Sequence, residues 1–372
     1  MKLGFGLYRH MLDDDNLSFA RQVGATHLVA HLVDYFRDNE RFSSSDQPVG
    51  DEAGWGYASG EMWDVDMLRE IKTRIEAHGL VWHAVENLDP RFWDHVLFNG
   101  PEKYRQIEII RRIIRNLGEV GIPVLGYNFS LAGVTGRIQF DDARGGAKTV
   151  GMNGSNRVLE TPLPNSMAWN MVVDEKARGI RKPMSETQLW ENFAWFLKEV
   201  LPTAEESHVI LALHPDDPPL DTVRGLPKLV NQPDKYQKVI DIDPSRSNGL
   251  ELCLGTLSEM TTGDVYEATR NYVSQGRVPY IHLRNVIGKV PFYREVFIDE
   301  GQIDVGRIIA LLRECDYDGV IIPNHSPQVT CPAPWHAGMA YAMGYIKALM
   351  NDGAPDDAQD PKKSPAPGND AI

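Results

Sequence analysis

Eight short, nearly unbroken apolar runs recur along this chain, and that recurrence restricts the fold more than any other feature. They are LGFGL (3–7), HLVAHL (27–32), LVWHAVE (80–86), VLGYNF (124–129), VILALHP (209–215), LELCLG (250–255), YIHLRNV (280–286) and GVIIPNH (319–325). A strand covered on only one face alternates apolar with polar residues. A strand buried on both faces loses that alternation, as in a parallel sheet packed by helices on its outside. Longer segments with a 3.6-residue apolar period lie between the runs, at 64–78, 102–120, 185–206, 305–315 and 338–350, with a weaker one at 264–275. Gly79 and Gly121 follow the first two of these as stop signals, and SETQ (185–188) has the form of a capping box. Eight strand–helix units predict an α/β fold, a closed (β/α)8 TIM barrel. The rival, an open doubly wound sheet, usually carries a Gly-rich turn after its first strand. Here LGFGLYRH runs into MLDDD without a G-x-G-x-x-G, so the barrel is preferred.

A barrel accounts for the 372 residues as one unit over 1–350. The surplus falls in long insertions near 33–64 and 130–184, and in a tail at 351–372. The tail is rich in Pro, Asp, Gly and Ala and is expected to be disordered. Both insertions leave the C-terminal ends of strands, the face on which barrel enzymes build their sites. The 38 Lys+Arg against 52 Asp+Glu leave a net charge of −14, which argues against nucleic acid or an anionic membrane surface as partner. No stretch approaches the roughly 18 apolar residues of a membrane span, and the first residues lack an export signal's apolar core. Cys253, Cys315 and Cys331 are an odd number in a chain that needs no staples, so a reducing cytoplasm is expected.

The chemistry is signalled by polar residues at the ends of apolar strands, where they add nothing to a core. His214, Cys253, His282 with Arg284 and Asn285, and Asn324 with His325 end the last four runs. If those strands are consecutive staves, their ends converge on one rim. Two imidazoles, a thiolate and an oxygen donor would then form a divalent-metal site of mixed hardness. Singly, each has a plainer reading, since a strand histidine is more often a satisfied core residue and a lone cysteine a small hydrophobe. Their joint position favours the metal site. Glu86 ends the third run and is read as a polar wall of the same site.

In chain order the sequence also carries YNF (127–129), HPDDPP (214–219), RGLPKLV (224–230), LCLGTL (252–257), HLRNV (282–286), EGQID (300–304) and PNH (323–325). With these motifs the chain resembles the mannonate dehydratases, metal-dependent sugar-acid dehydratases built on a xylose-isomerase-like barrel. The likeness runs over about residues 1–350. It implies manganese, with Fe2+, Co2+ and Mg2+ as alternatives, held by His214, Cys253 and His282. The family's fourth ligand is an aspartate, at the position of Asn324 here. The resemblance further implies His325 as an acid/base and, in the turn PAPWHAG, His336 or alternatively Trp335 as its complement. Arg137 and Arg284 are expected to clamp a carboxylate or hydroxyl, and Asn128 and Asn285 to fix hydroxyl groups. Val134 and Thr135 depart from the family after YNF, and Arg294 and Ile298 stand where histidines are usual around Glu295.

The implied reaction is loss of water from a D-mannonate-like aldonate to a 2-keto-3-deoxy acid, with a sugar acid as small-molecule partner and with self-association. Two other readings stand beside it. One is a divergent barrel enzyme acting on another sugar as epimerase, isomerase or lyase. The other is a barrel that binds a sugar acid or metal without turnover.

Overall fold

The structure is a computed structural model that describes residues 1–36, 54–154 and 157–352. Eight parallel strands close into a barrel: β1 (Lys2–Leu7), β2 (His27–His31), β3 (Val81–Glu86), β4 (Val124–Tyr127), β5 (Ile210–Leu213), β6 (Asn248–Cys253), β7 (Tyr280–Leu283) and β8 (Val320–Pro323). Each pairs with its neighbours in sequence, and β1 closes the ring on β8 through Lys2–Val320 and Leu3–Ile321. The eight apolar runs are therefore the eight staves, as the absence of alternation predicts.

Helices cover the outside: α1 (Asp14–Gln22), α2 (Val65–Ala77), α3 (Lys103–Val120), α4 (Glu186–Glu206), α5 (Lys235–Ile242), α6 (Val265–Ser274), α7 (Val305–Glu314) and α8 (Pro334–Asn351). The side chains of Asp13, Asp64 and Asp304 accept a backbone N–H three residues on, so one N-cap device starts α1, α2 and α7. Ser185 and Gln188 form the reciprocal capping box that opens α4, and α3 ends on Gly121 in the left-handed region at φ 75°. On α3, Ile107, Ile110, Ile113, Ile114 and Leu117 form one buried stripe against the barrel. Each such side chain contributes about 1.5–3 kcal/mol relative to exposure. The short α1 went unread in the sequence because only Leu17 and Ala20 are fully buried on it.

Inside the staves, Val29, Ala84, Val124, Ala212, Tyr280, Val320 and Ile322 fill the barrel with mostly small side chains. Gly126 is required at its place in β4. A Cβ there would overlap the hydroxyl of Tyr280, which is hydrogen-bonded to Glu251 on β6.

The two insertions roof the C-terminal end. From the longer one, Ile138–Ala143 and Ala147–Asn153 form an antiparallel sheet with Phe292–Val296 and Asn285–Lys289, which follow β7. Residues after β4 and after β7 thus share one rim sheet. The first insertion meets the second where Trp55 N–H donates to Asn170 O and Val172 N–H to Gly56 O. Its segment 37–53 lies outside the described residues, as does the tail from 353 onward. Among the described residues no helix is long and apolar enough to cross a membrane.

Candidate active site and metal centre

The register of the late strands brings the expected ligands together. Cys253 at the end of β6 pairs with His282 on β7, and His214 follows the last residue of β5. Donor atoms of His214, Cys253 and His282 all lie within 4.8 Å of one another. HPDDPP is held in place by Asp216, whose Oδ2 accepts the N–H groups of Leu229 and Val230 at 2.6 and 2.9 Å, tying that motif to GLPKLV. Beside it, His214 Nδ1 lies 2.6 Å from Pro215 O. A proton on Nδ1 donated to that carbonyl leaves Nε2 with a free lone pair, the state a metal ligand needs.

Electrostatics suit a cation. Burial alone would raise the Cys253 thiol, but the charge of Arg284 and hydrogen bonds from His214 and His282 hold it well below the ordinary range, so it is a thiolate. His282 Nε2 lies 3.0 Å from Glu86 Oε2 and 3.0 Å from Glu251 Oε1. Burial opposes charge on that ring, yet the two carboxylates outweigh it and push its pKa well up; His214, also opposed by burial, is raised to about 9 by Glu251 and by Cys253. A divalent ion would replace those protons, and the donor set of two imidazoles and a thiolate fits one. Glu86, Glu251 and His282 form a second compact group that shares the His282 ring.

Of these residues, Glu86, His214 and His282 face a small cavity of about 30 Å3 whose lining also includes Tyr8, His31, Tyr35, Trp55, Asn87, Asn128, Val134, Trp169, Asp217, Asn324 and His325. One wall is a hydrogen-bonded chain: Asn128 Nδ2–H donates to Asn87 Oδ1, Asn87 Nδ2–H donates to Tyr35 Oη, and Tyr35 Oη lies 3.0 Å from His31 Nδ1. From Tyr35 the wall continues as an aromatic cluster with Trp55 and Trp169, packed edge to face or tilted with ring centroids 5.5–6.3 Å apart.

His325 follows β8 and enters the cavity from that side. Its Nδ1 lies 2.9 and 3.0 Å from the two oxygens of Glu295, on the rim strand Phe292–Val296. Burial would raise Glu295, but His325, Arg284 and Arg137 lower it to about 2, so the carboxylate is charged and accepts the Nδ1 proton. Nε2 of His325 is buried and has no hydrogen-bond partner among the described residues. Glu295 was named in the sequence only as a surviving family position, and the strand carrying it pairs with residues about 140 positions earlier.

Four expected residues occupy other places. Arg284 Nη1 donates to Glu259 and Glu295 at 2.8 and 2.9 Å, and its Nη2 to Asp217 and Thr256 at 2.9 Å each. Both Nη groups are therefore engaged by protein side chains, while Nε is buried without a hydrogen-bond partner among the described residues, and Arg284 is absent from the cavity lining. Arg137 lies against the same Glu295 at 3.3 Å. Asn285 Nδ2–H donates to the carbonyls of Ile298 and Ile303, and its Oδ1 accepts from Val286 and Ile303, which closes the loop after β7. His336 sits on α8 with Nε2 3.0 Å from Asn16 Oδ1 and its ring against Phe19, outside the cavity lining. The turn before it did not align, so the sequence held no measure of where His336 would point.

The family model for D-mannonate dehydratase (UxuA) matches residues 1–352. The mannonate dehydratase of Lactococcus lactis subsp. lactis (strain IL1403) is 29% identical over 296 residues, which cover 73% of this chain and 80% of that one. The crystal structure of mannonate dehydratase from Streptococcus suis serotype 2 superposes with a TM-score of 0.75 at 24% identity, covering 95% of this chain and 94% of that one. A xylose isomerase domain protein from Planctomyces limnophilus shares the barrel at a TM-score of 0.57 and 12% identity, covering 94% and 98%.

Proposed function

Because this chain belongs to the D-mannonate dehydratase family, and with it to the hydro-lyases that dehydrate sugar acids, we propose that its substrate is D-mannonate and its product the 2-keto-3-deoxy acid. His214, Cys253 and His282 would hold a divalent metal, manganese first and Fe2+, Co2+ or Mg2+ otherwise, with the Asn324 carbonyl as a neutral fourth donor. Once bound, the metal supplies electrostatic stabilisation of the negative charge that builds on the substrate as its α-proton leaves.

The observation that carries the reading is His325, fixed at Nδ1 by Glu295 and unpartnered at Nε2 beside the thiolate–imidazole centre. With Nδ1–H given to the carboxylate, Nε2 presents a lone pair to the cavity and takes the α-proton. The complementary proton, delivered to the departing β-hydroxyl, we assign to the His31–Tyr35 pair instead of His336, because that pair lines the cavity. Burial keeps the Tyr35 hydroxyl well above its ordinary range and lowers His31, so the phenol holds the proton. Asn128 and Asn87 would bind sugar hydroxyls. Arg284 and Arg137 set the position of Glu295.

Val134 lines the cavity at a position where the family usually carries a polar or aromatic residue, and it favours a second reading, a different aldonate with the same elimination. Incubation with D-mannonate and MnCl2, followed by detection of a 2-keto-3-deoxy product, tests the first. A panel of epimeric aldonates tests the second. The three thiols are free, in keeping with a cytoplasmic enzyme, and size-exclusion chromatography tests self-association.

A further inference from the structure

We propose that Glu251 supplies the anionic oxygen ligand of the metal centre, the part that Asn324 cannot play with a neutral amide. The inference rests on the reading that His214, Cys253 and His282 hold the ion. Glu251 lies two residues before Cys253 on β6, and a strand repeats every two residues, so both side chains leave the same face of the strand. Its Oε1 is 3.0 Å from His282 Nε2 and 3.8 Å from His214 Nε2. Two donors bound to one ion at about 2.0–2.3 Å each stand no more than about 4.6 Å apart. Both separations fall within that limit.

The carboxylate is also aimed. Tyr280 donates its hydroxyl to Oε2, in room left by the missing side chain of Gly126, and this turns Oε1 toward the two histidines. Oε1 itself accepts no hydrogen bond among the described residues, because the His282 contact is aligned on Glu86 and not on Glu251. Glu251 is fully buried, and the positive groups beside it are the two histidines. A buried carboxylate oxygen left without a donor is costly, and a bound cation removes that cost. With Glu251, the thiolate and the carboxylate together balance the two charges of a divalent ion. With Asn324 in that place, the thiolate would be the only anion among the ligands.

The test is calorimetric titration of MnCl2 into the metal-free full-length chain. Glu251→Gln is expected to weaken binding at least tenfold. Adding Asn324→Asp to that variant is expected to recover most of the loss, which a merely structural defect would not allow. With Co2+ in place of manganese, the thiolate charge-transfer band should persist in Glu251→Gln, because Cys253 still binds. Unchanged manganese affinity in Glu251→Gln overturns the proposal. So does a wild type that binds two ions and a variant that binds one, since Glu251 would then serve a separate ion. No thiolate band in the wild type would instead overturn the underlying metal reading. If Glu251→Gln does not fold, anomalous diffraction from manganese-soaked wild-type crystals decides: an ion within bonding distance of Oε1 supports the proposal, and one beyond it refutes the proposal.

Discussion

His83 and His282 are both histidines on barrel strands, both are largely or fully shielded from water, and they behave in opposite ways. His83, near the start of β3, gives one ring nitrogen to the carbonyl of Pro279 at 3.1 Å and packs against His27 and Tyr280. Burial drives its pKa down to about 4, so it is neutral. His282, on β7, stands between Glu86 and Glu251 and is driven the other way. The partners decide the role, because the same imidazole beside a carbonyl is a packing residue and beside two carboxylates is a cation site. A strand histidine is therefore informative only with its neighbours.

The largest expected effect breaks that contrast directly. His282→Gln should lower turnover by at least ~10^3-fold and lose the bound metal, as should Cys253→Ala, since each removes a donor from the centre. His83→Gln should leave turnover within about threefold and metal content unchanged. Steady-state kinetics with metal analysis of both proteins checks it, and a His83 variant that loses its metal would erase the distinction.

Next in size is the His325–Glu295 pair. His325→Gln is expected to cost ~10^2–10^4-fold in kcat, the usual range for a removed general base, with KM little changed. Glu295→Gln keeps the ring but no longer fixes its tautomer by charge, so a smaller loss of about 10–100-fold is expected. It should come with a displaced pH–rate profile. Equal losses in kcat and no change in that profile would mean that Glu295 acts only by supporting the rim sheet.

How much of this could be read beforehand follows from what each residue is buried against. The eight staves were legible because two-sided burial makes them continuous apolar runs. The convergence of His214, Cys253 and His282 followed from the closure of the barrel. Glu295 was not legible as a partner of His325. Its strand is half-exposed, and its neighbours Gly151, Met152 and Asn153 come from another insertion. Glu251 lay hidden inside LELCLG, where its charge reads as a break in an apolar run. Its two-residue offset from Cys253 was a signal already present. Arg284 had the reverse fault, since an arginine at a strand end looks like a substrate clamp until its carboxylate partners are known.

His83 also yields a prediction on stability, smaller than the catalytic ones. Its folded pKa of about 4 lies below the ordinary 6.5, so the unfolded chain takes up the proton more readily. Its contribution is therefore complete above pH 6.5, declines as pH falls toward 4, and is level below that. Between pH 7.5 and 5 the wild type should lose about 2 kcal/mol through this group. His83→Gln should lack that part of the decline. Denaturant unfolding of both proteins at the two pH values measures it, and parallel curves would show that His83 is not the titrating group.

The smallest effect belongs to the same end of the barrel. Lys2 lies 3.0 Å from Asp318, and its ammonium also donates to the Asp318 carbonyl at 2.7 Å, bridging the start of β1 to the turn before β8. The pair resembles the buried ion pairs of the rim in geometry, but both partners are exposed. Exposed pairs lose most of their attraction to solvent and to the ordering of two long side chains. The lowered pKa of Asp318, caused first by its hydrogen bond with Lys2, therefore carries little stability. Lys2→Gln should move the melting midpoint by no more than about 2 °C and leave kcat and metal content alone. A larger shift would mean that β1–β8 closure depends on this contact, and the contrast between an inert lower face and an active upper rim would have to be redrawn.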